Sequence, residues 1–464
     1  MRGRRPRDLL FVVLVAAAAL LPFLGQTHEV SSHEVRHAEI GREMAESGDF
    51  LVPRLLGVPY RDKPPVLSAA IAALDRWNGE PTMTLARLPS AIAAIAGAAL
   101  LYEIGRTLAD PSTALLAALG VLATQSYQDM ARTARPDMIF TLALLAAAWA
   151  SIAALRSPGA RAAAGFAAAG AACAVASLLK GPLAWGFCAV FPGAAWLCER
   201  RLRRPGPRDA AAFAAGFALA AVAWIAPLLA SGHGAYLWSF LTQPDLTTWQ
   251  AADSFRRIHW PWLYGFVGFL PLALLLPLAV GDARRRGIRP AAAIALAMLV
   301  ILSLIPKKRM HYPLPVQPFL ALAVAEAVMQ AADRRWRRAA ALLIALSLLA
   351  GPLYFGAVAP WRHPGGDEEQ AAARRILDRA PPGAAIVCWG DMAERLAFVG
   401  RRGDVVRIDD PAGLVREARR RGGGTLAVLP ASLEIDAAPE LRALARVSAG
   451  EQRWRIYRVD SAGG

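Results

Sequence analysis

Residues 33–65 read "HEVRHAEIGREMAESGDFLVPRLLGVPYRDKPP" and open on His33-Glu34-Val35-Arg36-His37, a match to the H-E-x-x-H pattern of zinc peptidases. On a helix, histidines four residues apart share one face and can grip one Zn²⁺, with the glutamate as general base. A peptidase also needs a third ligand and a structured cleft. Asp62 and His259 are available, and nothing in the sequence singles either out. The motif follows an apolar run and continues into "AEIGREMAESGD", so its charge density keeps it out of a bilayer interior. The rest of the chain has to decide between a zinc grip and something else.

Of the 464 residues, 56% are hydrophobic, and the mean hydropathy is +0.35. Globular domains average roughly 45–50% apolar. Here the excess lies in long Ala/Leu/Val/Ile runs approaching the ~20 residues that cross a bilayer. The chain is expected to be a polytopic membrane protein. Its net charge of +16 does not point to nucleic acid. The arginines cluster in "MRGRRPRD", "ERRLRRPGPR", "GDARRRGIRP" and "DRRWRR", each beside an apolar run, as the positive-inside rule produces. No basic, aromatic-interleaved soluble domain is visible. Cys173, Cys188, Cys198 and Cys388 show no metal or redox spacing, and three of them lie in apolar runs. The N-terminal "MRGRRPRDLLFVVLVAAAALLPFLG" lacks a clear small-residue cleavage site and reads as a first membrane helix.

Apolar runs predict spans near 9–26, 87–106, 112–125, 138–155, 162–179, 182–198, 210–230, 263–281, 290–306, 312–331 and 339–358, about 11 transmembrane helices in all. With a cytoplasmic N-terminus, every strongly basic short loop falls inside except "PKKRMHY" at 306–312. That parity places 27–86, the loop near 126–137, 231–262, 306–312 and the tail from about 359 on the outer face. The positive cluster at 306–312 suits either a tolerated exception or an anion site. From about 365, "AAIVCWG", "GDVVRIDD", "GTLAVLP" and "EQRWRIYRV" read as strands, and "DEEQAAARRILDRA" and "PAGLVREARRR" as amphipathic helices. The fold class expected is an all-α polytopic membrane domain over 1–358, with a small α/β domain over 359–464.

Beyond H-E-x-x-H, the stretch resembles the first outer loop of the ArnT-like (PMT/aminoarabinose transferase) glycosyltransferases of the GT-C class. That loop reads D-E-x-R-Y-A-E-I-A-R-E-M, then G-D-W-x-x-P-x-L-x-G, then Y-x-x-K-P-P-L. Glu34, Arg36, Ala38, Glu39, Ile40, Arg42, Glu43 and Met44 fall in register. So do Gly48, Asp49, Pro53, Leu55, Gly57, Tyr60, Lys63, Pro64 and Pro65. The likeness continues through "ARLPSAIAAIAGAALLYEIGRTL", "MARTARPDMIFTLALLAAAW" with Asp137, "LLKGPLAWG" near Lys180, "HWPWLYGFVGFLPLALLLP" and "PKKRMHYPLPVQPFLALAVA". Three positions depart. The family's leading Asp is His33 here, its Tyr is His37, and its Glu before Lys-Pro is Asp62. The zinc-peptidase look is thus produced by two substitutions.

The resemblance implies transfer of a sugar, with inversion, from a polyprenyl-phosphate donor to a lipid (lipid A-like), glycan or protein acceptor. It places this on the outer face of the cytoplasmic (inner) membrane. Such chemistry needs a base and positive charge on the leaving phosphate. Glu34 and Asp137 are the catalytic or acceptor-orienting carboxylates expected, with His33 as an alternative base of suitable pKa. Lys63, Arg54, Lys307, Lys308 and Arg309 are candidates for the donor phosphate. Glu34 equally suits an ion pair with Arg36 or Arg42, Asp137 a helix cap, and Lys63 an exposed loop. No cofactor is certain from the pattern; a divalent metal is left open, through Asp62 with His259 or through His33, Glu34 and His37. The alternatives are a zinc-dependent peptidase and a homologue weakened by loss of the leading Asp. Expected partners are the lipid-linked donor, its acceptor and membrane lipids, with no nucleic acid.

Overall fold

In a computed structural model of the chain, residues 4–26, 30–242, 257–305, 308–362, 367–381, 383–433, 441–449 and 452–459 are described. They divide into two compact units. The first comprises Met1–Pro22, Arg61–Val66 and Arg87–Leu353, and the second Phe23–Tyr60, Leu67–Ala86 and Tyr354–Gly464.

The first unit is built from apolar helices: α1 (Arg4–Leu20), α4 (Met83–Leu108), α5 (Pro111–Leu122), α6 (Gln125–Ala131), α7 (Asp137–Ala154), α8 (Gly159–Lys180), α9 (Leu183–Cys198) and α10 (Pro207–Ala230). After them come α11 (Gly234–Leu241), α12 (Trp260–Gly268), α13 (Leu276–Arg286), α14 (Pro290–Leu304), α15 (Gln317–Gln330) and α16 (Arg335–Leu353). Among the described residues, five helices are long and apolar enough to cross a membrane: Met83–Leu108, Asp137–Ala154, Gly159–Lys180, Pro207–Ala230 and Arg335–Arg362. The span expected at 263–281 is not one helix. It is broken between Gly268 and Leu272, and the two pieces meet at 106°. Other expected spans are apolar helices of 10–17 residues, among them α5, α9 and α14. Punctuation explains the breaks, because Pro271 and Pro313-Leu314-Pro315 interrupt apolar composition without changing it.

Small residues let the helices meet closely. A Cβ on Gly170 of α8 would lie 1.9 Å from the Phe213 carbonyl oxygen of α10, and one on Gly216 would lie 1.9 Å from that of Ala167. In lipid, where apolar burial gives no drive, such backbone contact is what holds helices together. Gly165 does the same for α7, its Cβ position lying 2.8 Å from Ala154 Cβ.

The second unit contains α2 (Ser32–Ser47), the hairpin of β1 (Arg54–Leu55) and β2 (Val58–Pro59), and most of α3 (Val66–Asn78). It also holds α17 (Glu368–Leu377), β3 (Ile386–Trp389), α18 (Met392–Gly400), β4 (Val405–Ile408), α19 (Pro411–Arg421), β5 (Leu426–Pro430), β6 (Leu441–Ala449) and β7 (Gln452–Val459). The five longer strands form one sheet in the order β4-β3-β5-β7-β6. β3 is parallel to β4 and β5, and β7 is antiparallel to β5 and β6. Alternation along the strands separates two cores. Ile386, Cys388, Leu426 and Val428 pack with Ala372 and Ile376 of α17 and Leu396 of α18. Val387, Ala427 and Leu429 pack with Leu414 and Ala418 of α19. Cys388 is therefore a buried strand residue. The outer loop expected to go with residues 1–358 contributes α2 to the unit that holds the tail sheet, and the contacts of Arg36 below give the reason.

Candidate active site

Two helix ends create the site in the first unit. Asp137 is the first residue of α7, directly after Pro136, where a carboxylate faces the positive end of the helix dipole. Lys180 is the last residue of α8, where a cation faces the negative end. α8 stops there because Gly181 takes φ +66° and Pro182 follows. A short turn joins α7 to α8, so the two run antiparallel and both residues arrive at one end. Lys180 Nζ donates to Asp137 Oδ1. Asp137 is buried and Lys180 nearly so. Asp137 thus forms the centre of an ion-pair group and does not act as a cap, since it accepts from Lys180 across the helix pair.

Three more elements converge on the pair. Arg135 Nε lies 3.9 Å from Asp137 Oδ2, and His311 Nε2 lies 3.7 Å from Oδ1. Tyr312 places its ring 4.8 Å from Lys180 Nζ, and the Phe140 ring lies 5.6 Å away, so the ammonium rests on aromatic faces as well as on the carboxylate. Lys63, just before α3, is within electrostatic reach of Lys180, Asp137, Asp62 and Arg309. Its side chain keeps solvent exposure. Desolvation by the surrounding protein, together with the Lys180 charge, still pushes its pKa below that of an ordinary lysine. The group contains Lys63, Arg135, Lys180 and Arg309 against Asp137 and Asp62, an excess of cations that suits an anion.

The expected site residues divide accordingly. Lys63, Asp137 and Arg309 come together. Lys308 donates instead to the Ile305 carbonyl at 2.6 Å, and Lys307 lies outside the described residues. Lys180, Arg135 and His311 were not singled out by the sequence. Lys180 carried a usable signal, an ionisable residue terminating a long apolar helix, which marks function by default. His311 carried none.

Glu34, His33 and Arg54 belong to the second unit. Glu34 is buried at the third position of α2 and forms a reciprocal cap with Ser31, whose backbone N–H donates to Glu34 Oε2 at 3.3 Å. Arg42 donates to Glu39 and Glu46. Arg36 donates to Glu394 at 3.0 Å and to Asp391 at 3.2 Å. His33 is exposed and His37 buried. Arg54 lies on β1, whose turn through Leu56 (φ +53°) and Gly57 (φ +78°) is held by Glu43. Among the described residues no three of His, Cys, Asp and Glu converge to hold a metal ion, so neither Asp62 with His259 nor the H-E-x-x-H histidines acquire a third ligand. His259 instead precedes α12 as an exposed N-terminal residue.

Comparison with known proteins places this geometry. Residues 62–229, which include Lys63, Asp137 and Lys180, match the model of the dolichyl-phosphate-mannose-protein mannosyltransferase family. The fold is similar to the crystal structure of apo ArnT from Cupriavidus metallidurans, with a TM-score of 0.76 at 19% identity over 97% of each chain. It is also similar to the same protein bound to undecaprenyl phosphate, with a TM-score of 0.74 at 17% identity over 97% of each chain. The protein is therefore an integral membrane protein whose fold is similar to that of ArnT, as the motifs of residues 33–65 led us to expect. More particularly, it is 33% identical over 153 residues to the undecaprenyl phosphate-alpha-4-amino-4-deoxy-L-arabinose arabinosyl transferase of Edwardsiella ictaluri. That alignment spans 32% of this chain and 28% of the relative.

Proposed function

We propose that the protein is a glycosyltransferase that takes a sugar from a polyprenyl-phosphate donor and passes it, with inversion, to a lipid A-like lipid, a glycan or a protein. The reaction takes place on the outer face of the cytoplasmic membrane, with the N-terminus cytoplasmic. The observation that carries this reading is the cluster of Lys63, Lys180, Arg135 and Arg309 around the single buried carboxylate of Asp137. A sugar phosphodiester carries one negative charge and its leaving phosphate gains a second, so preorganised cations favour the transition state over the bound donor. Lys63 and Lys180 act as point charges on the phosphate, and Arg309 can contact it through two N–H groups. Asp137 holds Lys180 in place by accepting from its ammonium. An acceptor hydroxyl attacks the anomeric carbon, the carbon–phosphate oxygen bond breaks with its electrons on the phosphate, and the hydroxyl proton passes to a carboxylate base. Glu34 and His33, the bases that the family resemblance implies, belong to the second unit.

The test is transfer from an undecaprenyl-phosphate sugar by purified protein in lipid. Lys63→Ala and Lys180→Ala should each lower turnover by about a hundredfold or more, whereas His37→Ala should retain most of it. Mass analysis of lipid A and surface glycans with and without the gene identifies the acceptor. A protein that binds no polyprenyl-phosphate sugar defeats the reading.

A further inference from the structure

His311 is the group of the cluster whose ordinary pKa lies nearest neutrality. It stands in the loop between α14 and α15, two residues after Arg309 and beside Tyr312, whose ring meets it edge-on at 5.2 Å. Asp137 (α7), Arg135 (the turn before α7), Lys180 (the end of α8) and Arg309 (its own loop) all act on its ring. Burial of the ring is the largest influence and Asp137 opposes it, while Lys180, Arg135 and Arg309 add to it; the pKa falls to about 4. The ring is therefore neutral at pH 7. The geometry makes this state conditional. Its Nε2 lies 3.7 Å from a carboxylate oxygen, and the repulsion that adds to the effect of burial comes from the same cations that would receive a phosphate.

We propose that His311 is the proton-uptake group of this site, so that a phosphodiester binds together with one proton that settles on the His311 ring. The inference rests on the phosphate reading given above. One negative charge placed ~5 Å from the ring, in surroundings of effective dielectric ~20, raises its pKa by about two pH units. That brings it from the acid range to just below neutrality. The imidazolium then adds a donor to the phosphate side of the cluster, with Asp137 as its second partner. Affinity for the diester should consequently rise as the pH falls, because the bound state holds the extra proton.

The test is calorimetric, on the full chain in nanodiscs, with a short polyprenyl methyl phosphodiester as probe. A diester keeps one charge across the range, so its own titration does not interfere. Between pH 7.5 and 5.5 the wild type should bind about threefold or more tightly, and up to tenfold per pH unit. Heats measured at pH 6 in buffers of different ionisation enthalpy should show a fraction of a proton taken up. His311→Gln should flatten both dependences while still binding the diester. If the buffer dependence of wild-type heats is nil, the inference fails, whatever happens to the variant. If His311→Gln keeps the wild-type pH slope, the proton goes elsewhere and the inference fails, with the phosphate reading intact. Absence of diester binding at every pH overturns both. Dimethyl phosphate, run alongside, separates a site for any phosphodiester from one that requires the lipid chain; proton uptake with either supports the coupling.

Discussion

Asp75 sits on α3 with both carboxyl oxygens buried and without a hydrogen-bond partner. Desolvation is opposed only by the charge of Arg42, and the carboxyl pKa rises to about 6. The folded protein therefore holds a proton that the unfolded chain releases near pH 4. Stability conferred by the neutral form falls as the pH rises from about 4 to about 6 and is constant above that. Asp75→Asn should raise the unfolding temperature at pH 7.5 and leave it unchanged at pH 4, an effect on the order of 1 kcal/mol or more. Thermal unfolding at the two pH values checks it, and an equal shift at both would point to packing. Glu39 differs in having Arg42 as a partner. Burial still pushes its carboxyl up to about 7, against the pull of that guanidinium. Removing Arg42 alone would leave a buried carboxylate without its partner, a loss of about 3–5 kcal/mol. Arg42→Met should accordingly destabilise the protein far more than the double variant Glu39→Leu/Arg42→Met, as a double-mutant cycle in denaturant would show.

At the scale of elements, the site exists because α7 and α8 form an antiparallel pair of nearly matched length. That pair is held by close approach at Gly165, and α8 in turn by Gly170 and Gly216 against α10. A side chain at Gly170 would overlap the backbone of α10, and backbone cannot move aside as a flexible side chain can. Gly170→Val should separate α8 from α10 and lower the unfolding temperature in detergent by several degrees. Val175→Ala, at an exposed position of the same helix, should not. The element also shows what was hidden. The sequence ends α8 at "LLKGP" and starts α7 at "RPDM", and both boundaries are readable from proline and glycine. That the two ends lie together follows only from the pairing of the helices.

At the scale of whole units, α2 carries residues that tie it to the sheet of its own unit. Glu394 on α18 is fully buried, and it accepts from Arg36 and Arg407. Burial drives its carboxyl upward while both arginines pull it down. Asp391 accepts from the same two arginines. Arg36→Glu should therefore loosen α2 from the tail and speed limited proteolysis of α2, with Glu394→Arg alone doing likewise. The double exchange should restore protection at least in part, and failure of any restoration would separate the two residues energetically. The contact joins positions 358 apart in sequence, which is why a reading that assigned loop and tail to separate domains could not anticipate it.

The sequence by itself determined the helical membrane class, and the resemblance of residues 33–65 to a family loop marked Lys63, with Asp137 further on, as residues to watch. Hydropathy, turn residues and motif order are local properties, and they survive without knowledge of neighbours. Tertiary structure decided the rest. It gave Asp137 the partners Lys180, Arg135 and His311, turned Glu34 into half of a helix cap, and took Arg36 away to Glu394. Those outcomes depend on which charges are buried against which others, and charge pairing at a distance leaves no periodic trace along a chain. The apparent zinc motif shows the same limit from the other side. The spacing of His33 and His37 is a local fact, whereas a metal site requires a third ligand supplied from elsewhere in the fold, and among the described residues none comes.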